Sequence, residues 1–321
     1  MNREPILIVA GEPNSVFLEI FFKSIKNKKY KNPLIIIVSK RLLIKQMKSL
    51  GFDFKINLVN KDYLSLNELN NKKINLIDVN YDFKNIFEKI STNSNNYITN
   101  CFNIALEILK KNKFSKIING PISKKNFLQG KYLGVTEYLA SKTGKKDEVA
   151  MLIYNSKLSV SPITTHLPLK DVSKKISKLK IIQNIVLINN FYSKILRKIP
   201  KIGVTGLNPH CESNYKTSEE KKMIIPAIKN LIQKKYNVSG PFAADTIFMK
   251  DQIKKFDVII GMYHDQVLTP AKTLFGFSAI NITLGLPFTR ISPDHGPNSS
   301  MLGKNLSNPQ SLIEALKFLD K

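Results

Sequence analysis

The chain has 321 residues, 43% of them hydrophobic, two cysteines and a formal charge of +26. Two cysteines exclude a disulfide framework, the apolar content excludes a disordered chain, and no apolar run approaches the roughly 18 residues of a membrane span. The length allows roughly two domains.

The charge invites a nucleic-acid reading, but arginine occurs only at Arg3, Arg41, Arg197 and Arg290. Bidentate recognition of bases and phosphates favours arginine over lysine. The lysines are scattered along helix faces, as in KKISKLK, amid abundant Asn and Ile, a pattern that fits AT-rich codon usage acting on solvated surfaces. The expectation is therefore no nucleic-acid partner and no membrane. A strongly positive surface still raises the encounter rate with small anionic substrates.

In chain order, the start MNREPILIVAGEP holds an apolar stretch too short for a signal peptide before Gly11 and Glu12 interrupt it, so a cytoplasmic protein is expected. Strand-like runs follow at 5–10, 33–39, 73–79, 116–122, 149–154, 157–165, 201–207, 257–263 and 279–285. Several are continuous and rich in Ile and Val, as expected of parallel strands buried on both faces. Between them, SVFLEIFFKSI and NYITNCFNIALEILKKN have helical spacing, and the span from Lys170 to Lys198 is long enough for more than one helix. TSEEKKMIIPAIKNLIQKKY opens with acidic residues that suit a helix N-terminus, and Pro226 either kinks that helix or marks its start. The Asn- and Lys-rich stretch at 67–73 reads as a polar loop. Alternating strands and helices predict a doubly wound α/β architecture, and the chain contains no GxGxxG fingerprint.

Three of the four histidines close strand-like runs: His166 ends SVSPITTH, His210 ends KIGVTGLNPH, and His264 lies in FDVIIGMYHD. Open α/β sheets carry functional groups at the carboxyl ends of their strands, and neutral imidazole is the commonest metal ligand. Together they predict a mononuclear divalent-metal site with an open position. Cys211 adjoins His210, but neighbours in a strand face opposite sides, so it is left out of the site.

Residues 240–296 are densest in chemistry-bearing groups. Asp245 lies among small and apolar residues in GPFAADTIF, Asp265 follows His264, and Lys272, Asn281, Arg290, Asp294 and His295 come after. Most isolated aspartates are caps, and lysine is everywhere here, so Arg290 is the harder one to dismiss. In LPFTRIS it suits a clamp for phosphate or carboxylate. His295 reads as structural or as support for a neighbouring group. The run GPISKKNFLQGKYLGVTEYLA adds a strand-end turn and Thr136. These residues point to a metal-dependent enzyme acting on a small anionic molecule, with metal-assisted hydrolysis and alcohol oxidation both open.

TTHLPLKD, GLNPH, GPFAADTIF, MYHDQ and NITLGLPFTRISPDHG, in this order, resemble the 4-hydroxythreonine-4-phosphate dehydrogenase (PdxA) family of pyridoxal phosphate biosynthesis. The resemblance implies an isocitrate/isopropylmalate dehydrogenase-like α/β fold with two subdomains and a cleft between them. The first would comprise roughly residues 1–130 plus 290–321. The second, roughly 131–289, would carry the metal ligands and the dimer contacts. It also implies that His166, His210 and His264 bind a divalent metal (zinc, cobalt or magnesium), in a homodimer where one ligand comes from the neighbouring subunit. NAD, or alternatively NADP, would accept hydride from a small phosphorylated substrate. Thr136, Lys272, Asn281 and Arg290 match substrate-binding positions, and Asp245 matches an aspartate near the metal. The alternative within this class is a paralogue oxidising another phosphorylated hydroxy acid, such as a phosphorylated threonate or erythronate. Three departures stand out: Val135 replaces a family histidine, CESNYKTSEE replaces a glycine-rich run, and GEPNSVFLE replaces a GDPAGIG-like loop.

Overall fold

The computed structural model describes residues 4–26, 28–211, 216–276, 278–293 and 295–321. Asp294 and residues 212–215 of the CESNYKTSEE segment lie outside the described residues. The strands are β1 (Ile6–Val9), β2 (Leu34–Val38), β3 (Ile56–Leu58), β4 (Ile74–Asp78), β5 (Lys116–Asn119), β6 (Ala150–Tyr154), β7 (Ser159–Thr164), β8 (Ile202–Thr205), β9 (Val238–Phe242), β10 (Val258–Tyr263), β11 (Ile280–Leu284) and β12 (Thr289–Pro293). The helices are α1 (Phe17–Lys26), α2 (Lys40–Ser49), α3 (Asn95–Asn112), α4 (Val135–Lys142), α5 (Val172–Lys175), α6 (Lys178–Ile195), α7 (Ile225–Gln233), α8 (Lys250–Ile253), α9 (His264–Phe275) and α10 (Gln310–Leu319). Among the described residues no helix is long and apolar enough to cross a membrane.

The chain divides into two compact units, Met1–Val135 with Pro287–Lys321, and Thr136–Leu286. In the first unit the strand order is β3-β4-β2-β1-β5-β12, and the pairings are parallel. Every residue of β1 is fully buried, as a central parallel strand covered on both faces requires. Each such Ile, Leu or Val contributes about 1.5–3 kcal/mol on leaving water. The 67–73 stretch leaves a 3-10 turn at Leu66–Glu68 and continues as a loop, whose Asn71 side chain donates to the carbonyls of Tyr30 (3.0 Å) and Asn32 (2.8 Å).

In the second unit the order is β11-β6-β7-β10-β8-β9. Here β7, β10, β8 and β9 pair in parallel, whereas β6 runs antiparallel to both β11 and β7. The apolar run at 149–154 therefore reported burial but not strand direction. The span after Lys170 holds both α5 and α6, the latter capped by Ser177, whose hydroxyl accepts from the Lys180 amide at 3.1 Å. Pro226 stands at the head of the α-helical part, α7, but a π-helical turn at Glu220–Ile224 runs directly into it, so the proline lies inside a continuous helical run at the change from π to α pitch.

Three strands escaped the sequence reading. β3 is short and part-exposed, β9 contains Gly240 and Pro241, and β12 contains Arg290 and Pro293. Gly, Pro and charge each demote a run as a strand, and here pairing with neighbours overrides that weak preference.

The turn from β1 into α1 is closed by its own side chain. Glu12 is 2% exposed, and its carboxylate accepts from the Asn14 amide (3.2 Å) and the Ser94 hydroxyl (3.1 Å). Burial raises its pKa, and the hydrogen bonds from Asn14 and Ser94 only partly offset that. A carboxyl whose folded pKa is raised loses stability as pH climbs from its unfolded value through its folded value. Glu12→Gln should therefore match the parent in acid and gain relative thermal stability across that window, then hold a constant gain above it. A melting difference independent of pH would contradict this.

Candidate functional site

The second unit carries seven of the eight residues to which the resemblance gives a role, all but Arg290. His166 lies two residues past the end of β7 and is exposed. His264 is the first residue of α9, directly after β10. These two strands are neighbours in parallel register, with Tyr263 opposite Thr164. That pairing brings the two imidazoles together, ring centroids 5.6 Å apart. Both could ligate one ion at about 2.1 Å from each nitrogen. The Asp265 carboxylate stands 2.6 Å from His264 Nδ1, so Nδ1–H is the donor and Nε2 is the ring atom that could face an ion.

His210 follows the end of β8 in a tight turn, and both it and Cys211 adopt left-handed backbone angles (φ 56° and 57°). The strand read at 201–207 stops at Thr205, well short of His210, so the alternation argument about Cys211 does not apply. The Cys211 thiol lies instead against Gly206, where an added Cβ would come within 2.7 Å of its sulfur, and burial pushes its pKa up. His210 Nδ1 faces the Asp245 carboxylate at 3.7 Å, both side chains largely exposed. Among the described residues, no three His, Cys, Asp or Glu side chains are grouped so that they could hold a metal ion. One chain thus brings His166 and His264 together and does not bring His210 to them.

Glu220 does work that the sequence reading had assigned to the helix dipole. Its Oε1 accepts from the amides of Leu207 and Asn208, both at 2.8 Å, and its Oε2 from Asn208 Nδ2 at 2.9 Å. Burial alone would raise its pKa, but the hydrogen bonds from Asn208 and Leu207 outweigh that and hold it below the usual carboxylate range. The Glu-Glu pair at 219–220 was visible in the sequence. Its targets 12 and 13 residues upstream were not.

Thr136 in α4 is buried, its hydroxyl 3.3 Å from that of Thr283. Thr283 and Asn281 alternate along β11 and so share one face, which places Thr136 and Asn281 on the same side of the sheet. Asn281 Oδ1 is buried without a hydrogen-bond partner among the described residues. Such an acceptor calls for a ligand or a water. Lys272 is exposed in the last turn of α9, roughly 12 Å along the helix from His264 at 1.5 Å per residue. Asp245 sits in an exposed turn, not in the apolar setting its neighbours suggested.

Arg290 belongs to the first unit. It is 2% exposed, and its Nε donates to Asn119 Oδ1 at 2.6 Å. His295 Nδ1–H donates to the Gly296 carbonyl at 2.9 Å.

The family model for pyridoxal phosphate biosynthetic protein PdxA matches residues 29–319. The chain belongs to the PdxA family. A 4-hydroxythreonine-4-phosphate dehydrogenase of Sulfurihydrogenibium sp. (strain YO3AOP1) is 38% identical over 98% of this chain and 96% of its own length. A protein of Oceanobacillus iheyensis named provisionally as a D-threonate 4-phosphate dehydrogenase is 33% identical, covering 98% and 97%. The crystal structure of the Klebsiella pneumoniae 4-hydroxythreonine-4-phosphate dehydrogenase superposes with a TM-score of 0.83 at 25% identity, over 99% of this chain and 97% of that one. Isocitrate dehydrogenase of Methylococcus capsulatus shares the fold alone, with a TM-score of 0.50 at 12% identity over 97% and 83%. The PdxA chain described here thus has the α/β fold of the isocitrate dehydrogenase type.

Two of the departures from the PdxA pattern can be placed. Val135 opens α4 next to Thr136. The 11–19 segment is entirely buried, with the Glu12 carboxylate occupying the β1–α1 turn. A Rossmann protein holds its dinucleotide phosphates at that turn. A buried carboxylate does not fit phosphate there.

Proposed function

We propose that this chain oxidises and decarboxylates 4-phosphohydroxy-L-threonine to 3-amino-2-oxopropyl phosphate in pyridoxal phosphate biosynthesis, as a divalent-metal- and NAD-linked dehydrogenase. The observation that carries the reading is the His166–His264 pair at the carboxyl ends of β7 and β10, in a chain that PdxA matches over residues 29–319. His166 and His264 would hold the ion, and His210 of a second copy would complete the set in a homodimer. When bound, the ion supplies Lewis acidity to the substrate's secondary hydroxyl, and NAD takes the hydride.

The remaining roles fall to the chain's own side chains. Asp265 fixes the tautomer of His264, and the Asp245 carboxylate stands 3.7 Å from His210 Nδ1. Asn281 offers a buried acceptor and Thr136 a hydroxyl on the same face, both suited to orienting a polar substrate. Lys272 and Arg290 would hold its anionic groups. Loss of the hydroxyl proton and of hydride leaves a β-keto acid, which releases carbon dioxide to give the amino ketone phosphate. Positioning of this kind accounts for a large share of the rate in such reactions.

A second reading has its own support. The Oceanobacillus iheyensis relative is 33% identical, and Val135 stands where the resemblance places a substrate-binding histidine. Loss of that imidazole changes the polar contacts next to Thr136. Measuring kcat/KM for 4-phosphohydroxy-L-threonine and D-threonate 4-phosphate side by side separates the two. A preference for the amino acid phosphate is expected; turnover of threonate phosphate alone would move the chain to the second reading.

A further inference from the structure

Among the described residues the pairing of β10 with β8 runs through Val258–Ile202, Ile259–Gly203 and Ile260–Val204 and ends there. The two chain segments then lead to His264 and to His210. Past this point the backbone ladder no longer sets how the two segments sit against each other.

A side chain takes over where the ladder ends. Gln266, in the first turn of α9, accepts on Oε1 from the Met262 amide (2.7 Å) and from the Thr205 hydroxyl (2.9 Å). Its Nε2 donates to the Gly206 carbonyl at 2.8 Å. One amide therefore joins the last residues of β8 to the last residues of β10. The arrangement uses both ends of the group, since a donor and an acceptor are needed in fixed order. Gly261 leaves it room, because a Cβ there would lie 3.0 Å from Gln266 Oε1 and 2.4 Å from a Val267 methyl. On the other side of β10, the Thr164 hydroxyl donates to the Met262 carbonyl at 2.7 Å, tying in the strand that leads to His166. Met262 thus has its amide held by Gln266 and its carbonyl by Thr164, two residues before His264.

We propose that Gln266 is a positioning residue that sets the placement of the His264 and His210 segments at the ends of β10 and β8. The inference deepens the metal reading above and rests on it. Hydrogen-bonding groups behind metal ligands typically change affinity or activity by about 10- to 100-fold when removed. A residue that only stabilised the fold would not change the geometry at the ion.

The test uses the full-length chain loaded with cobalt(II), whose visible absorption reports ligand geometry. Gln266→Met removes all three hydrogen bonds at similar volume. Gln266→Glu keeps the acceptor but places an oxygen against the Gly206 carbonyl. Tyr192→Phe is the control, since it removes the hydrogen bond to Ser159 (2.8 Å) at the far end of β7 from His166. The expected result is an altered cobalt spectrum and about 10- to 100-fold weaker cobalt affinity in both Gln266 variants, with kcat lowered more than KM, and a parent-like spectrum in Tyr192→Phe. If Gln266→Met does not fold, Thr205→Val deletes one of the three bonds and should give the same shift at smaller size. A parent-like spectrum and affinity in the Gln266 variants, or in Thr205→Val when it is the one that folds, would overturn the inference while leaving the metal reading intact. Failure of the parent itself to bind cobalt would overturn both.

Discussion

His264→Ala and His210→Ala, each inactive as a homodimer, are expected to regain turnover when mixed and allowed to exchange subunits. The expectation follows from which imidazoles one chain brings together. His166 and His264 stand 5.6 Å apart at the ends of adjacent parallel strands, while His210 faces Asp245 instead. If each metal position takes its pair from one chain and His210 from the other, a mixed dimer keeps one intact position and loses the other. With half the dimers mixed and one position active in each, recovery should approach about one quarter of parent activity. Each single variant should fall by at least about 1000-fold, since the Lewis acidity lost is on the order of 4 kcal/mol. Mixtures that stay as inactive as their components would mean that the three histidines act within one chain or not together. His166→Ala mixed with His264→Ala provides the internal comparison. Those two residues belong to the same half, so a mixed dimer has no intact position and no recovery is expected.

Arg290 is the second site where a large effect is expected. A guanidinium 2% exposed and fixed by Asn119 at 2.6 Å has lost most of its side-chain freedom before any substrate arrives. Pre-ordering of this kind is what a bidentate anion clamp requires, and lysine cannot reproduce its planar fork. Arg290→Lys should lower kcat/KM by roughly 100-fold through misplacement of the bound anion. Arg290→Ala should lose more and also destabilise the first unit by about 1–3 kcal/mol, because Asn119 Oδ1 is left buried without this donor. Asn119→Ala separates the two effects. It removes the Nε contact without deleting the guanidinium, so activity should fall less than in Arg290→Lys. If Arg290→Lys turns over substrate at the parent rate, Arg290 serves the fold alone.

The strand ends that carry the candidate site were legible because long Ile- and Val-rich runs survive any neighbour. Nine strands follow from such runs, and α1, α3, α6 and α7 from the helical spacing between them, whereas α2, α4, α9 and α10 were not read from the sequence. β9 and β12 were hidden by Gly240, Pro241, Arg290 and Pro293, which are poor strand formers held in place by partners far away in sequence. The histidines could be found because each closes a run. Their grouping could not, since it depends on strand order: β7 and β10 are neighbours, and β8 lies beyond β10. Glu220 and Gln266 were missed for a related reason. A carboxylate in the first turn of a helical stretch has an adequate local explanation, and nothing local tells that it reaches back to Leu207 and Asn208. Gln266 stood inside a quoted motif, but its partners Thr205 and Gly206 are some 60 residues away, a distance only the sheet closes.

The most direct measurement of the central claim is reduction of NAD by 4-phosphohydroxy-L-threonine, followed by absorbance before chelation, after it, and after a divalent metal is restored. The account predicts turnover that is lost with the chelator and returns with the metal, together with release of carbon dioxide in step with NADH. Turnover that persists unchanged in the chelated enzyme, or that is equally fast in His166→Ala, would contradict it.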